Sequence, residues 1–317
     1  MKNYSQPLKL IERLADGEFH SGEALGDYFG ITRVAINKQI KILRSWGIHL
    51  TSIPHKGYRL DTPLQLLNLE QINTYCDTDV PVLLIPVIDS TNQYLLNQIT
   101  QLKSGTACVA EYQTNGRGRR GRQWFSPFGS NLYLSIYWRF NQGPAATMGL
   151  SLAIGTVIAK VLYQISGKKV KVKWPNDLYL EDKKLAGILV EMVGRTGDDA
   201  HVVIGAGINL AMVQPDQNIV NQQWANLGNV NRNQLVGQLI QALRTAMTSF
   251  EKDGISAFIN DWNELDNFLN RPVKLLIGDK QICGIARGVN QQGALLLEQQ
   301  GQLNAYVGGE ISLRADD

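Results

Sequence analysis

Apolar residues recur at helical spacing in three short stretches at the start of the chain, then give way to alternating and continuous apolar runs. Leu8 to Ala15 reads as a short helix stopped by Asp16-Gly17. Ser21 is placed to cap a second helix carrying Ala24, Leu25, Tyr28 and Phe29, which ends at Gly30. Thr32 caps a third helix running to Trp46. At about 100° per residue, Ala35, Ile36, Ile42, Leu43 and Trp46 share one face of it. Arg33, Asn37, Lys41 and Arg44 share the opposite face, with Lys38 beside them. Two short helices joined at a glycine, the second with a basic, Asn-bearing outer face, form the helix-turn-helix pattern. His49 to Ile53 and Tyr58 to Leu60 flank Pro54-His-Lys-Gly57, a hairpin placed as a wing, and Asp61-Thr-Pro63 reads as an exit linker.

From about residue 67 to 270 apolar strands alternate with helices. Val82 to Ile88 reads as a strand, followed by Ser90-Thr91-Asn92 opening a helix. Ala107 to Gln113 and Asn131 to Trp138 are strands, and a helix spans about Thr147 to Ile165. Val170 to Trp174, the hairpin-like run Leu178 to Met192 and His201 to Leu210 continue the sheet. Leu235, Val236, Leu239, Ile240, Leu243, Met247 and Phe250 mark a long amphipathic helix. Beyond Pro272 only short strands remain, punctuated by Gly278-Asp279, Gln292-Gly293 and Gln300-Gly301. That fits a small barrel of about five strands, closed to avoid exposed edges.

Charge sharpens the picture of the first module. The net charge is +3, and residues 1–62 account for it with nine Lys and Arg against six Asp and Glu; the remainder balances at 22 against 22. From Ile31 to Leu60 there are six basic residues and no acidic one, a footprint suited to nucleic acid; Arg33, Asn37, Lys38, Lys41 and Arg44 are the candidates for contacting DNA. Cys76, Cys108 and Cys283 lie far apart without metal-ligand spacing and read as buried thiols of a reducing compartment. The uncharged stretch Asn141 to Ala159 raises a membrane question, but its proline, glycines and hydroxyl residues favour a buried helix. No signal-peptide pattern opens the chain, so a cytoplasmic protein with no membrane attachment is expected.

Two segments carry candidate chemistry. Gly116-Arg117-Gly118-Arg119-Arg120-Gly121-Arg122 interleaves four arginines with three glycines. Glycine lets a backbone approach a ligand, and the guanidinium fork matches phosphate or carboxylate oxygens. The run also fits a dinucleotide-binding spacing, yet Trp124-Phe-Ser-Pro127-Phe-Gly129 leads into another strand where that motif needs a helix. On its own the run is compatible with a nucleotide phosphate, a nucleic-acid patch or a solvated loop. In Lys173-Trp174-Pro175-Asn176-Asp177 a strand ends in a Trp-Pro corner that fixes a polar Asn-Asp pair. The returning strand then presents Lys184 just before Leu-Ala-Gly187, small residues beside which a ligand can lie. Lysine suits an anion, and Asp can hold Mg²⁺ or accept a proton.

These segments, with Asp89-Ser-Thr-Asn92, the stretch Gln113 to Arg122 and Gly205-Ala-Gly-Ile-Asn209 in the same order, make the chain resemble the bifunctional biotin–protein ligases that also repress the biotin operon. The resemblance covers essentially the whole chain. It implies an α+β architecture: a winged helix-turn-helix over 1–62, a central mixed α/β core of the biotin/lipoyl ligase kind over 67–270, and a small SH3-like β-barrel over 271–317. It implies biotin and ATP as substrates with Mg²⁺, condensation to biotinyl-5′-adenylate, and transfer to one lysine of a biotin carboxyl carrier protein, an acetyl-CoA carboxylase subunit. It also implies that the adenylate-bound form pairs as a homodimer on operator DNA.

By the same resemblance Arg119, Lys184 and Asp177 are the catalytic candidates. Ser90, Thr91, Asn92, Gln113, Arg117, Gly118, Arg119 and Lys184 would bind biotin. Arg117, Arg119, Arg122, Lys173, Asn176, Lys184, Asn209 and Trp224 would face ATP or the adenylate, and Asn176 and Asp177 are the candidates for Mg²⁺ or for contacts to the acceptor lysine. The polar loop Met212 to Gln223 is expected to order over the adenine. Alternatives are a lipoate ligase of the same fold, a biotin-sensing repressor without turnover, and a ligase whose first module steers protein partners.

Overall fold

The computed structural model describes residues 4–195, 198–213, 223–308 and 311–315. Three helices, α1 (Ser5–Leu14), α2 (Gly22–Phe29) and α3 (Arg33–Ser45), are followed by a hairpin of β1 (Leu50–Ile53) and β2 (Gly57–Leu60). α1 begins three residues before the expected Leu8. Pro7 is tolerated there because the first helical turn needs no N–H from it. Ser21 accepts from the Ala24 N–H at 3.0 Å and Thr32 from the Ala35 N–H at 3.2 Å. Gly30 ends α2 in the left-handed region, at φ 64°. The α3 residues in the core are Ile36, Ile40 and Leu43, with Trp46 just beyond, whereas Ala35 and Ile42 are only half-buried. The buried face is therefore rotated toward Ile40 relative to the expected one.

The central unit adds α4 (Leu69–Asn73), β3 (Val82–Leu84), β4 (Val87–Ile88), α5 (Thr91–Leu96), β5 (Ala107–Ala110), β6 (Tyr112–Gln113), β7 (Asn131–Phe140), α6 (Leu150–Ser166), β8 (Lys171–Lys173), β9 (Asp177–Leu180), β10 (Lys183–Val193), β11 (Ala200–Asn209), α7 (Arg232–Asp253) and α8 (Ile259–Leu265). Among the described residues, seven strands form one mixed sheet in the order β3-β5-β7-β11-β10-β9-β8. The single strand expected over Val82 to Ile88 is two. Proline has no N–H for a ladder, and at Pro86 the chain leaves the main sheet. The Pro86 carbonyl accepts from the N–H groups of both Glu111 and Tyr112, and β4 pairs instead with β6. That step carries Ser90 and Gln113 off the sheet and toward each other.

Residues 144–166 are long and apolar enough to cross a membrane by length and composition, but α6 packs on α7 and the sheet, with Leu152, Ile154, Ile158 and Leu162 in the main core. Cys108 is buried, which pushes its thiol up to about 12, and Cys76 is half-buried. Cys283 corrects the expectation of three buried thiols, because strand alternation leaves it exposed.

At the C-terminus β12 (Pro272–Ile277), β13 (Lys280–Val289), β14 (Leu295–Gln299), β15 (Gln302–Tyr306) and β16 (Ile311–Ala315) form an antiparallel sheet in the order β15-β14-β13-β12-β16. The ladder among the described residues is linear rather than a closed ring, with β15, exposed from Gln302 to Ala305, at one edge. Trp174, fully buried, donates its indole N–H to the Gly293 carbonyl at 3.2 Å and ties this sheet to the central one.

The first module is not a free tether. Trp46 stacks on Phe128 (5.4 Å, 13°) and Tyr112 (5.7 Å, 29°), and the Phe128 N–H donates to the Trp46 carbonyl at 2.9 Å. Arg232, at the start of α7, donates to the Glu111 carboxylate at 2.7 Å and to the Gln65 carbonyl at 2.6 Å, while Glu111 accepts from the Leu67 N–H. Both charges of this pair are almost wholly buried, so removing either would leave the other unpaired at a cost of about 3–5 kcal/mol.

Candidate active site

A cavity of about 610 Å³ opens on the face of β7, β11 and β10. Its floor is bare backbone. A Cβ at Gly205 would lie 2.3 Å from Asn92 Oδ1 and one at Gly207 2.4 Å from the Trp124 ring, so these two positions admit only glycine while those side chains stay in place. This is the physical content of Gly205-Ala-Gly-Ile-Asn209: alternation aims both glycines into the cavity and leaves Ile208 in the core.

One lobe of the cavity is neutral and hydrogen-bonding. Ser90 caps α5, and the Thr91 N–H and hydroxyl both donate to Gln113 Oε1, at 3.0 and 3.2 Å. Gln113 Nε2 donates to Ser126 Oγ at 3.0 Å. Asn92 Nδ2 donates to Glu191 Oε2 at 2.8 Å, and the Ser135 hydroxyl joins Thr91 and Asn92 from below. The other lobe is cationic. Arg117 pairs with Glu191 Oε2 at 2.7 Å, and Arg119 donates to Asn176 Oδ1 at 2.7 Å. Burial pushes the Arg119 guanidinium below the usual arginine value, with Asp177 opposing the shift and Arg120 and Arg122 adding to it. The loop closes on itself through Gly118 N–H to the Arg122 carbonyl (2.8 Å), with Arg120 left-handed at φ 61° and Gly121 at 69°. Arg120 and Arg122 stay exposed.

Lys184 is aimed by a bulge, the β9–β10 register slipping between Lys184 and Ala186. Its amine lies 2.8 Å from Asp177 Oδ1 and 5.6 Å over the Trp124 ring. Residues 223–225 run beside it: Lys184 N–H donates to the Gln223 carbonyl and Ala225 N–H to the Lys184 carbonyl, which brings Trp224 to the cavity wall. Asn209 Nδ2 donates to that same Lys184 carbonyl at 3.5 Å. Lys173, only 4% exposed, donates to the Tyr179 hydroxyl at 2.8 Å. Burial pushes its amine down to about 8; Asp177 opposes this, while Arg314, Lys184 and Arg122 reinforce it.

The site residues expected from sequence in the core thus border one cavity. Met212 is at its rim, but residues 214–222 of the expected adenine loop lie outside the described residues. For a metal, Asn176 Oδ1 and the Asp177 carboxylate are the available oxygens, and in this structure they face Arg119 and Lys184. Among the described residues no three His, Cys, Asp or Glu cluster. One carboxylate beside a cationic lobe fits Mg²⁺ carried in with a nucleotide rather than a resident protein cage. Sequence reasoning missed Glu191, Ser135, Tyr179 and Arg314, of which the last comes from the C-terminal sheet.

The second face lies on α3, where Arg33, Asn37, Lys38, Lys41 and Arg44 are all exposed. The Arg44 guanidinium reaches the Leu50 carbonyl at 3.5 Å, and the Tyr58 hydroxyl of the wing donates to Asn37 Oδ1.

Residues 84–209 match the Biotin/lipoate A/B protein ligase family, residues 8–59 an HTH domain, and residues 268–314 the Biotin protein ligase C terminal domain. Fold and site together therefore define a biotin/lipoate-type protein ligase fused to a helix-turn-helix module. The biotin protein ligase from Aquifex aeolicus in complex with biotin and ATP superposes with a TM-score of 0.65 at 27% identity, covering 74% of this chain and 99% of that one. The Bifunctional ligase/repressor BirA of Escherichia coli (strain K12) is 59% identical over 99% of both chains, and its Bacillus subtilis (strain 168) counterpart 26% identical over 94% of this chain and 95% of that one. The chain belongs to the bifunctional ligase/repressor family.

Proposed function

We propose that the protein activates biotin with ATP, passes it to one lysine of a biotin carboxyl carrier protein, and represses biotin synthesis in its adenylate-bound form. The observation that carries the reading is the division of one cavity into a neutral lobe around Ser90, Thr91 and Gln113 and a cationic lobe of Arg117, Arg119, Lys173 and Lys184. A neutral ureido ring needs donors and acceptors without net charge, and the first lobe supplies them. The carboxylate and the α-phosphate repel each other as they approach, and Lys184 and Arg119 neutralise both.

A carboxylate oxygen attacks the α-phosphorus, the bond to the bridging oxygen of the leaving group breaks, and pyrophosphate departs. The carrier's lysine amine, as the free base, then attacks the anhydride carbonyl; the new amide C–N bond forms, AMP leaves with the oxygen, and a proton goes to solvent. Asp177 would relay that proton to solvent or orient the amine. Mg²⁺ entering with ATP would offset phosphate charge, with Asn176 and Asp177 the residues near enough to hold it. Arg122 would reach the outer phosphates, and Asn209 and Trp224 would border the adenosine.

We assign residues 1–62, 67–270 and 271–317 to the DNA-binding, catalytic and C-terminal units. Two adenylate-bound chains would set their α3 helices on a two-fold operator, one ligand reporting biotin supply to both activities, in the cytoplasm where both partners reside. ATP–pyrophosphate exchange with biotin or lipoate as the sole added acid tests the ligase half. Exchange with biotin alone is expected; exchange with lipoate alone, or with neither, overturns it. Retention of a duplex selected from random DNA only when biotin and ATP are present tests the repressor half.

A further inference from the structure

One residue on the recognition helix does not belong with its neighbours. Val34 is 66% exposed in the first turn of α3, immediately after the Thr32 cap. It stands nine residues from the fully buried Leu43, which at about 100° per residue puts it half a turn away, diametrically opposite the core. Its surface neighbours at i+3, i+4 and i+7 are Asn37, Lys38 and Lys41, all exposed. The first turn of a recognition helix is the part that reaches base edges.

Two of the polar residues around Val34, Arg33 and Asn37, are turned to other tasks. The Arg33 stem lies across the start of α2, where a Cβ on Gly22 would come 3.4 Å from Arg33 Cγ, and the α2 N-terminus carries backbone donors suited to a phosphate. The Asn37 amide is tied back to the wing by the Tyr58 hydroxyl at Oδ1, the atom that adenine's amino group would otherwise engage. What remains at the apex of the helix is a branched apolar side chain ringed by cations.

Resting on the DNA-binding half of the function proposed above, we propose that Val34 is the base-reading residue of this module. Its methyl groups would pack on the C5-methyl of a thymine in the major groove, while Arg33, Lys38 and Lys41 hold the flanking phosphates. Thymine is the one base that presents an apolar group there.

The test uses the full-length protein with biotin and ATP, and duplexes it selects from a random pool. Each thymine of the selected half-site is replaced in turn by uracil, which deletes only the methyl. At one thymine per half-site the wild type is expected to lose affinity about fourfold, the worth of one buried methyl group. Val34→Ala, an exposed helix-compatible change, is expected to bind the thymine duplex more weakly and to respond to the same uracil by less than about 1.5-fold, the signature of a shared contact in a double-replacement cycle. Its biotinylation of the carrier protein should equal that of the wild type and shows that it is folded. If no thymine responds in the wild type, or if Val34→Ala responds as strongly, Val34 is not the reader. If no duplex is selected over random DNA, the repressor reading itself fails and this inference falls with it.

Discussion

The two groups of cations in this chain meet anions in different settings. Around the cavity four have a partner already: Arg117 on Glu191, Arg119 on Asn176, Lys184 on Asp177 and Lys173 on Tyr179, in places partly or wholly withdrawn from water. On α3, Lys38 and Lys41 stand in solvent. A cation preset in a partly dry cavity reorganises little when a phosphate arrives, and its attraction is weakly screened. A solvated cation draws DNA by releasing counterions, over longer range and at the mercy of salt. The first setting suits one small ligand in one pose, the second a long polyanion searched through many registers.

The contrast is strongest at Lys184. Lys184→Ala removes a charge-assisted contact worth about 1.5–3 kcal/mol and leaves Asp177 without its counter-ion, so biotin-dependent pyrophosphate exchange should fall by tenfold to a hundredfold. Circular dichroism should be unchanged and raised salt should not rescue the rate. An exchange rate within about twofold of wild type would take Lys184 out of the site.

Arg119→Gly should act on retention more than on synthesis. The substitution deletes the bond to Asn176 and loosens a loop already carrying three glycines. A lost charged contact appears chiefly in the off-rate, so adenylate release should rise about tenfold while its formation partly survives. Escaped adenylate would acylate exposed amines, and bystander albumin added to the reaction should become biotinylated. A variant that forms adenylate but labels no bystander would limit Arg119 to the activation step.

On the DNA side, Arg33→Ala with Lys41→Ala should lower the slope of log affinity against log salt by about one unit for each lost phosphate contact. Carrier biotinylation should be untouched at any ionic strength. Ligation lost together with DNA binding, in a folded double variant, would mean that the two cation groups are not separate devices.

How far the sequence reached differs between the same two regions. The helix-turn-helix was legible because its signals are local: Ser21, Gly30 and Thr32 cap or stop helices within four residues of themselves. The loop and the Lys184 strand announced themselves by composition. What composition could not give was the partner. Glu191 lies 74 residues from Arg117, and it reads as one acidic residue in an apolar strand until β10 and β11 pair. Arg314 reaches the cavity because the C-terminal sheet docks on the central one, in part through Trp174, a contact with no local signature. The break at Pro86 was there to be read, since a proline inside an apolar run argues against an unbroken strand.

The smallest expected effect is the most specific, because it concerns a buried lysine of the cavity whose amine burial pushes down toward neutral pH. Lys173 has its amine pushed down to about 8. Below that value it is charged and can hold a phosphate; as pH rises through it the charge is lost. The specificity constant for ATP reports ionisations of the free enzyme, before phosphate has restored the proton. It should therefore fall about threefold between pH 7.5 and 8.5 as the protonated fraction drops. Turnover at saturating ATP should stay nearly level over the same span, because bound phosphate raises the lysine's affinity for its proton. Tyr179→Phe removes the hydroxyl that receives the amine, leaves the ring under it, and should displace this descending limb without abolishing exchange. A limb identical in the two proteins would detach Tyr179 from it, and a specificity constant flat to pH 9 would mean that Lys173 stays charged in the empty cavity.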